Sequence, residues 1–240
     1  HDDVIDEADL RNGMPTIHTK YGNRYAIYAG DYLFCLCFNI LSKHISSFNQ
    51  LEFNVRGMEK ILTGELEQLN SRYQPPTSVK NYLSRISGKT AQLFSLSCYS
   101  GALISKASPQ VSNRAKMMGH YIGMAFQIMD DILDYEGERD KLGKPVLNDI
   151  RQGIYNLPLI YAVKENPSSF MEILSKKEDL DEEDMNRLTD LILQHKGIEK
   201  AKALATKYTQ KALKELDRLP EGDYKGTLKE ITTKLLRRTI

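Results

Sequence analysis

Apolar residues recur at helical spacing along most of the chain, between frequent helix-start and helix-stop signals, whereas alternating strand patterns are weak. Thr77 is the predicted cap of one helix, and Asp181 with Asp184 forms the capping box of another, which Gly197 ends. The pattern predicts an all-α fold, a single-domain bundle of long helices with short connections. The helices are predicted over 23–45, 50–73, 77–105, 109–135, from 156 onward, 181–197, 198–219 and 224–238, with a polar loop over 137–150.

The composition is that of an ordinary globular protein. Of 240 residues, 41% are hydrophobic and 27% are charged, with a formal net charge of +1. This balance argues against a disordered tail and against binding to nucleic acid. The best apolar run, Tyr32 to Leu41, is about half the length that a bilayer requires. Cys35, Cys37 and Cys98 have no metal-ligand spacing, so we expect buried core thiols in a reduced, cytoplasmic protein.

The beginning of the chain has no ordinary start signal. It opens on His1-Asp2-Asp3, without an initiator methionine, a signal peptide or a helix cap. We therefore expect that it begins partway along a helix and that an N-terminal segment precedes it.

Two segments share one arrangement of carboxylates. Segments 2–6 (DDVID) and 130–134 (DDILD) each place aspartates at i and i+4, on one helical face a turn apart. Aspartate is a poor helix former, and like charges at this spacing cost about 0.2–0.5 kcal/mol per pair. Bound cations would offset that cost. A few hard oxygen ligands that leave room for phosphate oxygens favour Mg²⁺ over Zn²⁺.

The two aspartate segments have other possible interpretations. For one segment alone, a solvated acidic helix face is an equally good interpretation. Two copies favour a shared function, and the aliphatic pair inside each indicates a helix packed on both sides, with its acids in a lined cleft. His1-Asp2 also suggests a metallophosphohydrolase, but the other histidines lack the spacing to complete that site. The two segments are therefore predicted to hold Mg²⁺ around a diphosphate.

Cationic residues occur where a diphosphate would need them. Arg11, in the loop LRNGMPT just past the first cluster, offers a bidentate donor. Lys144 lies in the loop LGKP after the second cluster. Lys89-Thr90 sits inside an apolar helix, where a lysine reaching the surface and a phosphate contact are both reasonable interpretations. Gln127 lies one turn before the second cluster on the same face, either facing positive charge or solvated.

Together these segments resemble the trans-isoprenyl diphosphate synthases, the polyprenyl synthetase family. The matching runs are collinear and cover most of the first two-thirds of the chain, and paired aspartate motifs in this order are highly specific. They are 1–6, 11–16, 30–33, 64–68, 89–91, 123–134, 142–149 and 157–159. The resemblance implies one isoprenoid synthase domain over 1–240, lacking its N-terminal helices, with its helices around a central cleft.

The resemblance also implies a reaction and the residues that perform it. Mg²⁺ ions that make an allylic diphosphate a leaving group would be held by Asp2, Asp6, Asp130 and Asp134. The same diphosphate would be neutralised by Arg11, Lys89 and Lys144. An allylic cation, stabilised by Thr90, Gln127 and backbone carbonyls, would be attacked by the double bond of isopentenyl diphosphate, extending the chain by five carbons.

Within the family, the amino-acid sequence of the loop from Gly143 to Val146 most resembles that of the large catalytic subunits of two-component hexaprenyl and heptaprenyl diphosphate synthases. This implies a heptaprenyl product for menaquinone and a partner that is a separate small subunit or a second copy. The product would draw the protein to the membrane surface. Product length in the family depends on bulky residues shortly before the first aspartate cluster, which precede this sequence.

The chain departs from the family pattern at three places that concern phosphate binding, two of them in the half that takes isopentenyl diphosphate. Asn12 stands where the family has an arginine that contacts this substrate, and Ile154 replaces a phosphate-binding lysine. The family's N-terminal Gly-Lys-x-x-Arg segment is not in this sequence. Asn12 and Ile154 favour a non-catalytic partner subunit, whereas six retained aspartates favour an enzyme. A terpene cyclase or head-to-head condensing enzyme shares the fold and metals, but 11–16 and 142–145 favour chain elongation.

Overall fold

The computed structural model describes residues 1–44, 48–76, 78–136 and 147–236, and helices dominate these ranges. The all-α prediction is therefore confirmed. The α-helices are α1 (Asp2–Ile5), α2 (Ile17–Tyr21), α3 (Asn23–His44), α4 (Phe48–Asn70), α5 (Val79–Ile86), α6 (Gln92–Ile104), α7 (Pro109–Glu136), α8 (Asn148–Arg151), α9 (Leu157–Glu165), α10 (Pro167–Leu174), α11 (Glu182–Gln194), α12 (Gly197–Asp217) and α13 (Asp223–Leu236). A π-helical segment, Ser87–Ala91, joins α5 to α6, and a 3₁₀ turn, Lys177–Asp179, precedes α11.

The chain divides into two compact units, His1–Val55 and Arg56–Ile240. The first contains α1 to α3 and a short antiparallel hairpin, β1 (Leu10–Arg11) with β2 (Met14–Pro15). This hairpin was not predicted. Its turn is Asn12-Gly13, both with positive φ, at 52° and 76°. Asn-Gly is the preferred pair for such a turn because both residues tolerate the left-handed region.

Helix α3 corrects two expectations from sequence. Its stretch Asn23–Lys43 is long and apolar enough to cross a membrane by length and composition, with a mean hydropathy of 1.2. It is about twice as long as the best apolar run expected from sequence, Tyr32 to Leu41. Core helices of soluble proteins pass the same test. In the structure only 6% of that window is buried. Cys35 and Cys37 on this helix are exposed, so the expectation of buried thiols was wrong for them.

The second unit is built around α7. Helices α6 and α12 pack along it, and α9 packs against α12. Side chains with no exposed surface, such as Ile128 and Ile132 of α7 and Leu157 and Leu159 of α9, form the centre of one large apolar cluster. Because α7 is buried on several sides, polar residues on it are held in fixed positions.

Glycines let the backbone of the π segment approach its neighbours. A Cβ added to Gly64 of α4 would lie 2.6 Å from the Lys89 nitrogen, and one added to Gly123 of α7 would lie 2.5 Å from the Ala91 Cα. Either side chain would displace the backbone that carries Lys89-Thr90. The close packing therefore explains both glycines and holds the π segment between α4 and α7.

Helix boundaries agree with the predictions within a few residues, with three corrections. The predicted helix over 77–105 is interrupted by the π segment. Its N-cap is Ser78, whose hydroxyl accepts a hydrogen bond from Asn81 N at 3.3 Å. The predicted cap, Thr77, lies outside the described residues. Of the predicted loop 137–150, residues 137–146 lie outside the described residues and 148–150 belong to α8. Gly197 does not end α11 but begins α12, where a Cβ would lie 2.3 Å from Pro158 O. The capping box of Asp181 and Asp184 is confirmed.

Candidate functional site

The first aspartate cluster lies on α1 and the residue that follows it. The Asp6 amide donates to Asp2 O at 2.8 Å, which places the two residues one helical turn apart, as predicted. Arg11 comes back to this turn from the hairpin. Its Nη2 and Nε donate to Asp3 Oδ1 at 2.6 and 2.9 Å, and this bond is the main reason that the pKa of Arg11 is raised. Arg11 is thus brought to the first cluster.

Asn12 occupies the turn of the hairpin, exposed and with positive φ. An asparagine at such a position is explained by backbone conformation alone, because other side chains with a Cβ are disfavoured there. The predicted contact between Asn12 and isopentenyl diphosphate stays a prediction. The second departure, Ile154, is a buried apolar residue at 9% exposure, and its amide donates to Asp149 O at 2.7 Å.

The second cluster lies near the end of α7, and its aspartates differ in environment. Asp130 is exposed, Asp134 is half-buried and Asp131 is buried at 5% exposure. Burial raises the pKa of Asp131 to about 7 although Tyr82 and Gln127 donate hydrogen bonds to it. Burial and the charge of Asp149 raise the pKa of Asp134 to about 6. Carboxylates with raised pKa values in one place are typical of functional sites.

A continuous chain of hydrogen bonds crosses from the π segment to α7 and on to α5. Thr90 Oγ1 donates to Gln127 Oε1 at 2.6 Å, and Gln127 Nε2 donates to Asp131 Oδ1 at 2.9 Å. Tyr82 OH donates to Asp131 Oδ2 at 2.6 Å. The structure therefore brings Thr90 and Gln127, both predicted from sequence, into direct contact.

Lys89 does not simply reach into solvent. Its Nζ lies 2.9 Å from Glu65 Oε2, and both side chains are 30% exposed. Lys89 also lowers the pKa of Asp149, on which burial and the charge of Asp130 act in the opposite direction. Lys89 is therefore a half-buried cation in the electrostatic surroundings of the second cluster.

The residues of the second cluster fit a bound cation. Asp134 Oδ2 is buried and has no hydrogen-bond partner within the described ranges. The charges of Asp149 and Asp130 raise the pKa of Asp134, and the charge of Asp130 also raises the pKa of Asp149. Hard carboxylate oxygens with this surplus of negative charge suit Mg²⁺. Over the same ranges, no group of three or more potential ligands is preassembled around one point. A ligand such as a phosphate would complete the coordination.

Several residues of this site were missed from sequence. Asp131, Tyr82 and Glu65 received no role, and Asp149 appeared only inside a matching run. The spacing of Gln127 and Asp131, four residues apart on one helix, was a usable signal, because amide–carboxylate pairs interact at that distance. Tyr82 and Glu65 carry no local signal, since their contacts join different helices.

Other sequence predictions are not decided by this geometry. Lys144 lies outside the described residues. That Asp2 and Asp130 face one another across a cleft stays a prediction, because the two clusters belong to different units.

Comparisons with known proteins agree with the resemblance seen in the sequence. The polyprenyl synthetase family model matches residues 1–192. Heptaprenyl diphosphate synthase component 2 of Geobacillus stearothermophilus is 38% identical over 231 residues, which are 96% of this chain and 72% of that protein. The protein of the same name from Bacillus subtilis is 36% identical over 96% of this chain and 66% of its own length.

Solved structures give the same picture. Geranylgeranyl pyrophosphate synthase from Lactobacillus brevis superposes with a TM-score of 0.93 at 41% identity, covering 99% of this chain and 74% of that one. Heptaprenyl diphosphate synthase from Staphylococcus aureus superposes with a TM-score of 0.92 at 34% identity, covering 100% of this chain and 75% of that one.

Proposed function

The chain belongs to the polyprenyl synthetase family and is a prenyltransferase, and from this premise we propose that it is a Mg²⁺-dependent synthase of a medium- or long-chain trans-polyprenyl diphosphate. Its substrates would be an allylic prenyl diphosphate and isopentenyl diphosphate. The observation that carries the proposal is the hydrogen-bonded chain from Thr90 through Gln127 to Asp131, beside the carboxylates of the second cluster.

The carboxylates have the role of holding metal. The predicted ligands are Asp2, Asp6, Asp130 and Asp134. The buried, unpartnered Oδ2 of Asp134 supports its inclusion, and a relative of known structure, from Caulobacter crescentus, is described as complexed with calcium and isoprenyl diphosphate. Bound Mg²⁺ supplies Lewis acidity that stabilises a departing diphosphate.

The cations have the role of binding the diphosphate group. Lys89 is held by Glu65 in an ion pair that is partly exposed, and such pairs contribute only about 0–1 kcal/mol. A diphosphate can therefore replace Glu65 at small cost. Arg11, paired with Asp3, has the same arrangement, and Lys144 is predicted to close over the same group.

Thr90 and Gln127 have the role of stabilising positive charge. Both offer neutral oxygen atoms in a half-buried position. Such atoms stabilise an allylic cation without trapping it as a covalent adduct, as a stronger nucleophile would.

The product and partner are proposed from the relatives. Two relatives carry the name component 2 of heptaprenyl diphosphate synthase, which supports a heptaprenyl product and a separate small subunit. The role in menaquinone synthesis is proposed from the sequence resemblance alone. Other relatives are named octaprenyl and solanesyl diphosphate synthases, so relatives of this chain make products of several lengths. A homodimer is the alternative assembly. The proposed location is the cytoplasm, where the product would draw the protein to the membrane surface.

The proposal is tested by incubating the protein with an allylic diphosphate, radiolabelled isopentenyl diphosphate and Mg²⁺, with and without a cognate small subunit. We expect labelled polyprenyl diphosphate whose formation is abolished by EDTA and restored by Mg²⁺. Diphosphate release without isopentenyl diphosphate would instead indicate a cyclase. No turnover in any combination would indicate a non-catalytic subunit. Mass spectrometry of the dephosphorylated product gives the chain length.

A further inference from the structure

Tyr82 is a buried residue with no role in the proposed reaction, yet its hydroxyl ends the chain of hydrogen bonds described above. It lies on α5 with 2% of its surface exposed, and it donates to Asp131, which is 5% exposed. Both partners are therefore shielded from solvent, and neither can exchange this bond for one with bulk water. A buried carboxylate that lost a donor would have to find another.

The chemistry of the groups determines the direction of every bond in the chain. An amide NH₂ group only donates hydrogen bonds, so Asp131 Oδ1 accepts from Gln127 Nε2. This turns the Gln127 carbonyl oxygen toward Thr90, and the Thr90 hydroxyl must then donate its single hydrogen to that oxygen. The observed contacts of 2.9 and 2.6 Å have this direction. The lone pairs of the Thr90 oxygen then remain available as hydrogen-bond acceptors or as neighbours of a positive charge.

The second oxygen of Asp131 depends on Tyr82. Besides the tyrosine hydroxyl at 2.6 Å, Oδ2 accepts only from Leu157 N, at 3.5 Å, within the described part of the chain. A bond of that length restrains the carboxylate weakly. Without the Tyr82 hydroxyl the carboxylate is free to rotate, and Gln127 loses the anchor that orients its amide.

We propose that Tyr82 is a positioning residue that acts through Asp131 to orient the Gln127 amide and the Thr90 hydroxyl, so that oxygen lone pairs and not a hydrogen face the allylic cation. This inference rests on the proposed function. It explains why a tyrosine is buried against the second aspartate cluster. Neither Tyr82 nor Asp131 needs to touch the substrate.

The first test is Tyr82→Phe, which removes the hydroxyl and keeps the ring. We expect kcat to fall about 10-fold, since misplaced catalytic groups commonly cost 10–100-fold, with little change in the KM of either substrate or in the Mg²⁺ requirement. Tyr155→Phe is the matched control. Tyr155 is also buried, at 5% exposure, but its hydroxyl has no hydrogen-bond partner among the described residues, so kcat should not change.

The second test is a double-mutant cycle with Thr90→Val. If Tyr82 acts through Thr90, Tyr82→Phe should lower kcat by less than about 2-fold once the Thr90 hydroxyl is gone. Equal losses in both backgrounds would overturn the inference, because a purely structural effect adds. An unchanged kcat in Tyr82→Phe, or a rise in KM alone, would also overturn it.

A measurement that needs no turnover separates this inference from the proposed function. The Gln127 side-chain amide gives two ¹H–¹⁵N signals, assigned by their loss in Gln127→Met. One hydrogen of the Gln127 amide is hydrogen-bonded to Asp131. We expect its exchange with solvent to accelerate at least 10-fold in Tyr82→Phe and to stay unchanged in Tyr155→Phe. If the wild-type protein proves inactive, the proposed function fails while this measurement still decides whether Tyr82 orients Gln127. Unchanged exchange in Tyr82→Phe would overturn the positioning role.

Discussion

At the scale of single residues, two of the predicted phosphate-binding cations, Lys89 and Arg11, are already paired with carboxylates of the same chain. Lys89 is 2.9 Å from Glu65 and Arg11 is 2.6 Å from Asp3. Because these pairs are partly exposed, each contributes little to folding stability. The carboxylates orient the cations without binding them strongly, which leaves the cations available to a diphosphate.

The pairing predicts how Glu65→Gln changes affinity. Removing the competing charge should lower the Kd for inorganic diphosphate with Mg²⁺ about 2–5-fold, the equivalent of about 0.5–1 kcal/mol. Lys89→Ala should raise this Kd, and more at low salt than at high salt, where screening already weakens the contact. Isothermal titration calorimetry at two salt concentrations measures both. The exposed Glu67, on the same helix, provides Glu67→Gln as a control, and an equal effect there would contradict the role of Glu65.

At the scale of elements, the π segment is the unusual feature. Extra residues in a helical turn cost regular hydrogen bonds and are commonly found at functional sites. Here the segment carries Lys89-Thr90 and is packed between Gly64 and Gly123. Helix packing thus compensates for the irregular turn and holds both side chains in position.

Gly64→Ala tests this packing. The new Cβ would lie 2.6 Å from the Lys89 nitrogen, a backbone atom that cannot move alone. We expect about 1–3 kcal/mol lower stability to urea and a loss of turnover. The control is Gly101→Ala on α6, where nothing lies within 4 Å of the added Cβ. That variant should gain up to about 1 kcal/mol. Equal stability of the two variants would mean that the close approach is not required.

The N-terminus of α11 gives a pH-dependent prediction. Lys176 donates to both oxygens of Asp184, at 2.8 and 2.7 Å, and this bond is the first cause of the lowered pKa of Asp184. A carboxyl whose pKa is lower in the folded state stabilises the fold above its unfolded pKa, near 3.9. That contribution disappears as pH falls through the folded value.

The measurement is urea unfolding of the wild type and Asp184→Asn between pH 3 and pH 7. The wild type should be more stable by a constant amount above about pH 5, and the difference should narrow below about pH 4 as Asp184 takes up a proton. Asp190→Asn, at an exposed position of the same helix, is the control and should change the free energy of unfolding only slightly. A difference that widened in acid would contradict the assignment of the ion pair.

At the scale of the whole molecule, the proposed function requires both aspartate clusters to act on one diphosphate. They lie in different units of the chain. Their cooperation is therefore tested by ligand binding.

We expect Mg²⁺ with inorganic diphosphate to stabilise the protein against heat, by about 2.7 kcal/mol at a ligand concentration 100 times the Kd. Asp2→Asn and Asp130→Asn should each remove most of this stabilisation, because each takes away a ligand of a shared group. The measurement is the melting temperature with and without ligand. Glu7→Gln, beside the first cluster, should retain the full shift. Full retention in Asp2→Asn would show that the first cluster does not take part.

The sequence singled out Lys89, Thr90 and Gln127 with the help of the family resemblance, and by itself it determined most of the helices and the spacing within the two aspartate clusters. These follow from local rules: helical periodicity, capping residues and spacings within one turn act over a few residues and do not need the rest of the fold. The capping box at Asp181 is an example, since both of its partners lie in one turn.

Only the tertiary structure decided which distant residues meet. Tyr82 of α5 donates to Asp131 of α7, and Glu65 of α4 pairs with Lys89 of the π segment. Gly197 allows the backbone to pack closely against Pro158 and does not end a helix. The polarity of the Thr90–Gln127 pair likewise depends on a buried carboxylate. Such contacts are set by how helices pack, and packing depends on the shapes of surfaces that are far apart in sequence.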